Sequence, residues 1–238
     1  MFLAGTNFTL SYLAIKGKFR RVVRDEEFKY YGLFVLIFTG FIFTGLLFSE
    51  NSGVEKAFRD SIFQVVSIIT TTGFATADYL LWPPILTVII FALFFFGGSA
   101  GSTGGGIKIM RIVLLLKNSY YELRRMVHPQ AIIPVKFNKH SVDSKIITNV
   151  LAFFMFYFVI FGFSTVIFSL IEPDMESAMG AVATSLGNIG PGLGNVGPAE
   201  NFLHIKPEGK WFLSFLMLLG RLELFTVLVL FSPSFWKG

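Results

Sequence analysis

Apolar stretches long enough to cross a bilayer alternate along this chain with short polar or glycine-rich breaks. Residues 30–48, 146–171 and 211–231 are nearly continuous apolar runs, close to the roughly 20 residues a helix needs to traverse the hydrocarbon core. Two further apolar runs, 80–96 and 107–116, flank FFFGGSAGSTGGGIKIMR, where six glycines sit among small hydroxyl residues. Both flanks are oily enough to lie in lipid, so this flexible backbone is expected at membrane depth. Irregular backbone is tolerated there only where it is buried in protein or lines a watery path. The stretch therefore predicts a transmembrane helix broken in its middle, a device of channels and transporters.

The segments between the spans add a repeat. Glu50-Asn51-Ser52-Gly53 ends the first span, and Ser52 followed by Glu55 reads as a capping box for a helix running to about Ile69. That helix is too short, and too polar at its start (Glu55, Lys56, Arg59, Asp60), to cross a membrane. It ends in Thr70-Thr71-Thr72-Gly73-Phe74. Trp82-Pro83-Pro84 then opens the broken helix, with Trp82 at a depth suited to the interface. After the span 146–171, Asp174 can cap a second short helix reaching about Leu186. This one runs into Gly187-Asn188-Ile189-Gly190-Pro191-Gly192-Leu193-Gly194. Tyr30 precedes Gly73 by 43 positions and Ile146 precedes Gly190 by 44, a regularity that points to tandem units. The expected fold is an all-α polytopic membrane protein of two tandem helix–pore loop–helix repeats. Residues 1–29 end a preceding membrane helix and form a cytoplasmic linker, 30–126 and 146–238 are the two repeats, and 127–145 is a second cytoplasmic linker.

Composition agrees with a membrane protein: 53% of residues are hydrophobic and 15% charged, and the mean hydropathy is +0.67. Soluble domains carry about 25% charged residues. The absence of cysteine excludes disulfides and thiol chemistry. His128, His140 and His204 are scattered without ligand spacing, and no acid–base or nucleophile–base set points to an enzyme. The net charge of +5 is read as a cytoplasmic marker and not as a nucleic-acid surface, because Lys and Arg concentrate before residue 30 and between 117 and 145. Glu50, Glu55, Asp60, Asp78, Glu172, Asp174 and Glu176 lie on the opposite side, an acidic rim that attracts cations.

Each short helix directs its partially negative C-terminus toward the membrane centre. The carbonyls beyond it, freed from helical bonding, can replace a cation's water shell. Thr71, Thr72, Gly73 and Phe74 form one such segment, and Asn188, Ile189, Gly190 and Pro191 the other. Two re-entrant turns without an ion are the plainer alternative, but two copies at matching offsets favour a conduction element. Arg221 lies ten residues from each end of the last span, near the bilayer midplane, where a charge is a functional candidate. It is expected to face the pore or the glycine loop of the other repeat, with a buried Arg–Glu pair as the alternative. Lys108 is expected to snorkel toward the cytoplasm. The glycine run resembles a phosphate loop only superficially, since its lysine is displaced and no strand precedes it.

TTTGF, GGSAGSTGGGIK, NIGPGLG and GRLELFTVL resemble, together and over the whole chain, Trk-type potassium uptake transmembrane subunits, the TrkH family of the Trk/Ktr/HKT superfamily. The resemblance implies four helix–pore loop–helix repeats around one filter, as in a potassium channel tetramer, and a homodimer in the bacterial inner membrane. This chain is similar to the third and fourth repeats, so two further repeats are expected upstream and Met1 need not be the biological start. Potassium is then the transported substrate, with ion sites at Thr72, Gly73, Ile189 and Gly190, and no covalent cofactor. Gly97, Gly98, Gly101, Gly104, Gly105 and Gly106 match the intramembrane loop that gates the pore, and Arg221 matches an arginine beneath the filter. A cytoplasmic nucleotide-binding regulator resembling TrkA is the implied protein partner, with the basic loop 117–145 as its docking surface. The alternative is a proton- or sodium-coupled symporter that uses the broken helix as its substrate site.

Overall fold

The computed structural model describes every residue except 50–52, 129, 132, 234, 237 and 238. A 3-10 turn at Phe2–Gly5 leads into two short helices, α1 (Phe8–Ile15) and α2 (Phe19–Arg24). The first repeat is α3 (Glu26–Ser49), α4 (Val54–Ile69) and a pair interrupted by the glycine loop, α5 (Pro84–Leu93) and α6 (Ile109–Val127). A small hairpin, β1 (Lys136–Phe137) and β2 (His140–Ser141), precedes the second repeat. That repeat is α7 (Ser144–Phe168), α8 (Met175–Gly187), α9 (Pro207–Arg221) and the short α10 (Phe225–Leu228).

α3 and α7 are the helices long and apolar enough to cross a membrane, with mean hydropathies of 2.2 and 2.4. Only one stripe of each turns inward. On α3 it is Tyr31, Val35, Thr39, Ile42 and Leu46, spaced three or four apart, while Leu36 and Phe41 face outward. An apolar outer face is stable in lipid, because lipid tails are as apolar as the side chains they meet. α4 and α8 behave in the opposite way. Their small and polar residues, such as Ser61, Ser67, Ala178, Gly180 and Ala181, are buried and let the helices sit inside the bundle.

Local chemistry accounts for the ends. Asp174 caps α8, its carboxylate accepting from Ser177 N (3.0 Å) and the Ser177 hydroxyl (2.5 Å). These bonds hold the Asp174 carboxyl below the usual carboxylate range. The cap is therefore charged at neutral pH and is lost only as pH falls through that lowered value. At α4 the N-cap is Gly53, with no side-chain cap; Ser52, expected in that role, lies outside the described residues. Pro84 starts α5, where its missing N–H costs nothing.

Two features depart from the sequence reading. The last span is not one helix: α9 and the segment Phe225–Phe231 meet at 109°, with Glu223 and Leu224 at φ 58° and 45°. The 127–145 linker is also partly ordered. Asn138 and Lys139 take left-handed conformations (φ 47° and 69°), as a two-residue hairpin turn requires. The Asn138 side chain accepts from Glu26 N (2.8 Å) and donates to Asp25 Oδ2 (2.8 Å), so the hairpin caps α3. Lys117 adds bonds to Glu26 (2.6 Å) and Lys136 O (2.9 Å).

The two repeats share a core. Ala183, Ile189 and Leu193 pack with Tyr79, Leu93 and Phe94 of the first repeat, and the Tyr79 hydroxyl donates to Gly192 O (2.7 Å). Within the second repeat, Gly220 brings α9 against the backbone of α8: a β-carbon there would collide with Leu186 O. Gly220→Val is expected to cost about 3 kcal/mol through overpacking, read as a lower thermal midpoint of the detergent-purified protein. An unchanged midpoint would show that α9 does not hold this position.

Candidate functional site

α4 and α8 end in turns that open with the same backbone geometry. After α4, Thr71 is left-handed (φ 52°), and Thr71 N and Thr72 N donate to Ile68 O and Ser67 O, both at 2.9 Å. After α8, Asn188 is left-handed (φ 54°), and Asn188 N and Ile189 N donate to Ser185 O (3.1 Å) and Thr184 O (3.0 Å). Two residues on stand Gly73 (φ 75°) and Gly190 (φ 127°), in backbone regions that side chains rarely enter. Hydroxyls brace both turns: Ser67 Oγ donates to Phe74 O (2.6 Å), and Gly190 N donates to Thr184 Oγ1 (2.9 Å).

This bonding leaves a row of free acceptors. Among the described residues, the carbonyls of Thr71, Thr72, Gly73, Asn188, Ile189 and Gly190 accept no hydrogen bond. The two turns also meet, since a β-carbon on Gly73 would collide with Ile189 O and come within 3.2 Å of Pro191 Cδ. Phe74 points away and is exposed, whereas Ile189 is buried. Unpaired carbonyls at the partially negative ends of two helices suit a bare monovalent cation. No cluster of three His, Asp or Glu side chains exists among the described residues to offer a competing metal site.

The glycine loop closes on itself below the turns. Gly97 N donates to Ile107 O (2.8 Å) and Ile107 N to Phe95 O (3.2 Å), so the two halves of the broken helix rejoin at a short bridge. Gly105 N donates to Thr71 Oγ1 (2.8 Å). A β-carbon on Gly105 would collide with Gly187 O and lie 3.0 Å from Asn188 Cβ, and one on Gly104 would lie 3.4 Å from Thr70 O. The loop thus touches both turns through two adjacent glycines. Gly97 and Gly98 are buried with them, Gly106 is half-buried, and Gly101 is exposed at the tip.

Charged side chains surround this loop. Arg221 donates to Thr103 O. It is the last residue of α9 before the bend, so it does not sit midway along a straight span. Lys108 does not snorkel away; it folds back onto Gly104 O, with Ser102 Oγ 3.5 Å off. Glu223 pairs with Arg111 at 2.5 Å, and the Arg111 guanidinium stacks 4.0 Å above the Phe153 ring. Glu27, buried at the start of α3, accepts from Ala100 N at 2.5 Å. Below the loop lies a cavity of about 460 Å³ bordered by Lys108, Arg111, Asn149 and Glu223. The geometry thus brings most of the residues named from sequence for the two turns and the loop together, leaves Phe74 turned outward and Gly101 exposed, and sets Arg221 against the loop. Glu27, Arg111, Ser67 and Thr184 were not singled out, because their partners are distant in sequence or are backbone atoms of the turns.

A family model described as TrkH, cation transport protein, matches residues 1–237. The TrkH potassium uptake protein of the Trk system in Escherichia coli K12 is 39% identical over all of this chain and 49% of its own length. Its namesake in Halomonas elongata is 36% identical, again over 100% of this chain and 49% of its own length. The E. coli Trk system potassium uptake protein TrkG is 33% identical over 99% and 48%. The crystal structure of the potassium transporter TrkH from Vibrio parahaemolyticus superposes with a TM-score of 0.90 at 36% identity, covering 99% of this chain and 51% of that one. The chain spans about half the length of the relatives it matches.

Proposed function

The chain belongs to the TrkH family of cation transport proteins, and on that premise we propose that it contributes two turns of a carbonyl-lined filter that passes potassium into a bacterial cell. The observation that carries this reading is the pair of matching turns with unpaired carbonyls, which touch where Ile189 O abuts Gly73, next to a folded glycine loop. A potassium ion entering from the outer side exchanges its waters for the carbonyls of Thr72, Gly73, Ile189 and Gly190, at a site the two helix C-termini make negative. Two turns line half a ring, and a second pair of segments, from a longer chain or a second copy, completes it. Gly97–Gly106 forms the gate: it lies across the inner end of the filter, and conduction follows when it moves aside. Arg221 holds the loop and adds a positive barrier. The name Trk system for the relatives supports a multi-subunit assembly, for which the reading is a homodimer in the inner membrane with a TrkA-like nucleotide-binding regulator on the basic cytoplasmic face. Both ends of this sequence then face the cytoplasm. The comparisons support a transporter over an enzyme. The symport reading is weaker, because its candidate intramembrane carboxylate, Glu223, is tied to Arg111.

Gly190→Ser in the assembled transporter tests the filter. A β-carbon there meets only Gly73 Cα, at 3.9 Å, so the pore stays open and the penalty is backbone strain of about 1–3 kcal/mol at φ 127°. Displaced carbonyls should lower the potassium-over-sodium uptake ratio roughly tenfold while flux persists. An unchanged ratio would remove Gly190 from the filter.

A further inference from the structure

Three consecutive residues at the tip of the glycine loop are held by the segment that precedes the first span and by the first turn of α3. Ser99 N donates to Gly5 O (2.8 Å), Phe8 N donates to Gly101 O (3.2 Å), and Ala100 N donates to Glu27 Oε1 (2.5 Å). The first two are ordinary backbone bonds. The third ends on a carboxylate, and a charge-assisted bond is roughly twice as strong as a neutral one. Glu27 is 5% exposed, and a buried carboxylate is costly unless its oxygens are bonded. Ala100 at the loop tip supplies that bond. Lys108, the cation nearest in the loop, is occupied with Gly104 O.

We propose that Glu27 is a positioning residue for the gate, a latch on α3 that fastens the loop tip at Ala100 while the loop lies under the filter. The inference rests on the gate reading above and adds what holds the gate shut. Opening requires the Ala100–Glu27 bond to break, so the cytoplasmic end of α3 sets how often the loop leaves the filter. Neither Gly5 nor Phe8 can do this, because a backbone bond offers no charge to gain or lose.

The chain contains no cysteine, so one introduced by Ser102→Cys reports on the loop alone once any cysteines elsewhere in the assembled transporter are replaced. In proteoliposomes, Glu27→Ala should raise the labelling rate of that cysteine by a membrane-impermeant thiol reagent from the cytoplasmic side about tenfold, and basal potassium flux with it. Glu27→Gln keeps the shape and a neutral acceptor and should give about threefold in labelling. Faster labelling without higher flux would support the latch and refute the loop as the gate. Unchanged labelling in Glu27→Ala, at normal protein levels, would overturn the latch. If Glu27→Ala fails to fold, unchanged labelling in Glu27→Gln overturns it in the same way.

Discussion

Gly73→Ala is expected to abolish potassium uptake by the assembled transporter, lowering the rate at least about 100-fold with normal amounts of protein in the membrane. Two penalties coincide at this position. The residue sits at φ 75°, where an L side chain costs roughly 1–2 kcal/mol. Its β-carbon would also occupy the space of Ile189 O, with Pro191 Cδ 3.2 Å away on the other side. That oxygen is proposed as an ion ligand, so relieving the clash means turning it from the path. Each 1.4 kcal/mol lost at the ion site is a further factor of ten. Strain and ligand loss together reach two decades without any other change. Rubidium uptake into cells that lack other potassium uptake measures the effect. The contrast with Gly190→Ser is the sharper test, since Gly190 has the unusual φ but open space around it. Equal phenotypes at the two glycines would mean that backbone strain alone matters, and near-normal uptake in Gly73→Ala would place the Gly73–Ile189 contact outside the conduction path.

The parts of this fold that sequence made legible are those set by solvent or by neighbours along the chain. Lipid demands uninterrupted apolar faces, so α3 and α7 stand out as runs of Phe, Ile and Leu. Asp174 caps the helix that begins at the next residue by bonding Ser177, three positions on, and the glycines of the two turns stand just beyond where the short helices stop. What escaped was decided by partners far along the chain. Apart from Arg221 and Glu223, residues 211–231 read as one apolar run, and nothing local announces the bend that brings Glu223 to Arg111, 112 positions earlier. Glu27 stands beside Asp25 and Glu26 in a charged linker, and only the fold shows that it alone of the three bonds the loop 73 residues ahead. The hairpin at 136–141 was hidden because its turn, Asn138-Lys139, lacks the usual glycine. Lys108 followed the general habit of lysines near a membrane edge until the loop folded back with acceptor carbonyls in its reach.

Arg221→Ala is expected to raise basal potassium flux about tenfold or more. The guanidinium donates to Thr103 O within the glycine loop, and its removal acts on the proposed gate in two ways. The loop loses a charge-assisted bond, which contributes less than the roughly 1.5–3 kcal/mol of a buried one because both residues are exposed. The path also loses a positive charge below the filter. At about 4 Å and an effective dielectric constant near 20, one unit charge repels another by about 4 kcal/mol, although Lys108, still bonded to Gly104 O, keeps part of that barrier in place. Arg221→Lys separates the two effects. It retains the charge but loses the planar fork that reaches the carbonyl. If the bond dominates, Lys should conduct nearly as well as Ala, and if the charge dominates, Lys should stay near the unaltered protein. Reduced or unchanged flux in Arg221→Ala would count against any gating role for this residue and reduce its contact with Thr103 to a packing detail. Because Arg221 and Glu27 bond different residues of the loop, Thr103 and Ala100, their effects on loop opening should be roughly additive. A double variant that labels no faster than either single one would instead mean that the loop leaves the filter in one step, released as soon as either hold is gone.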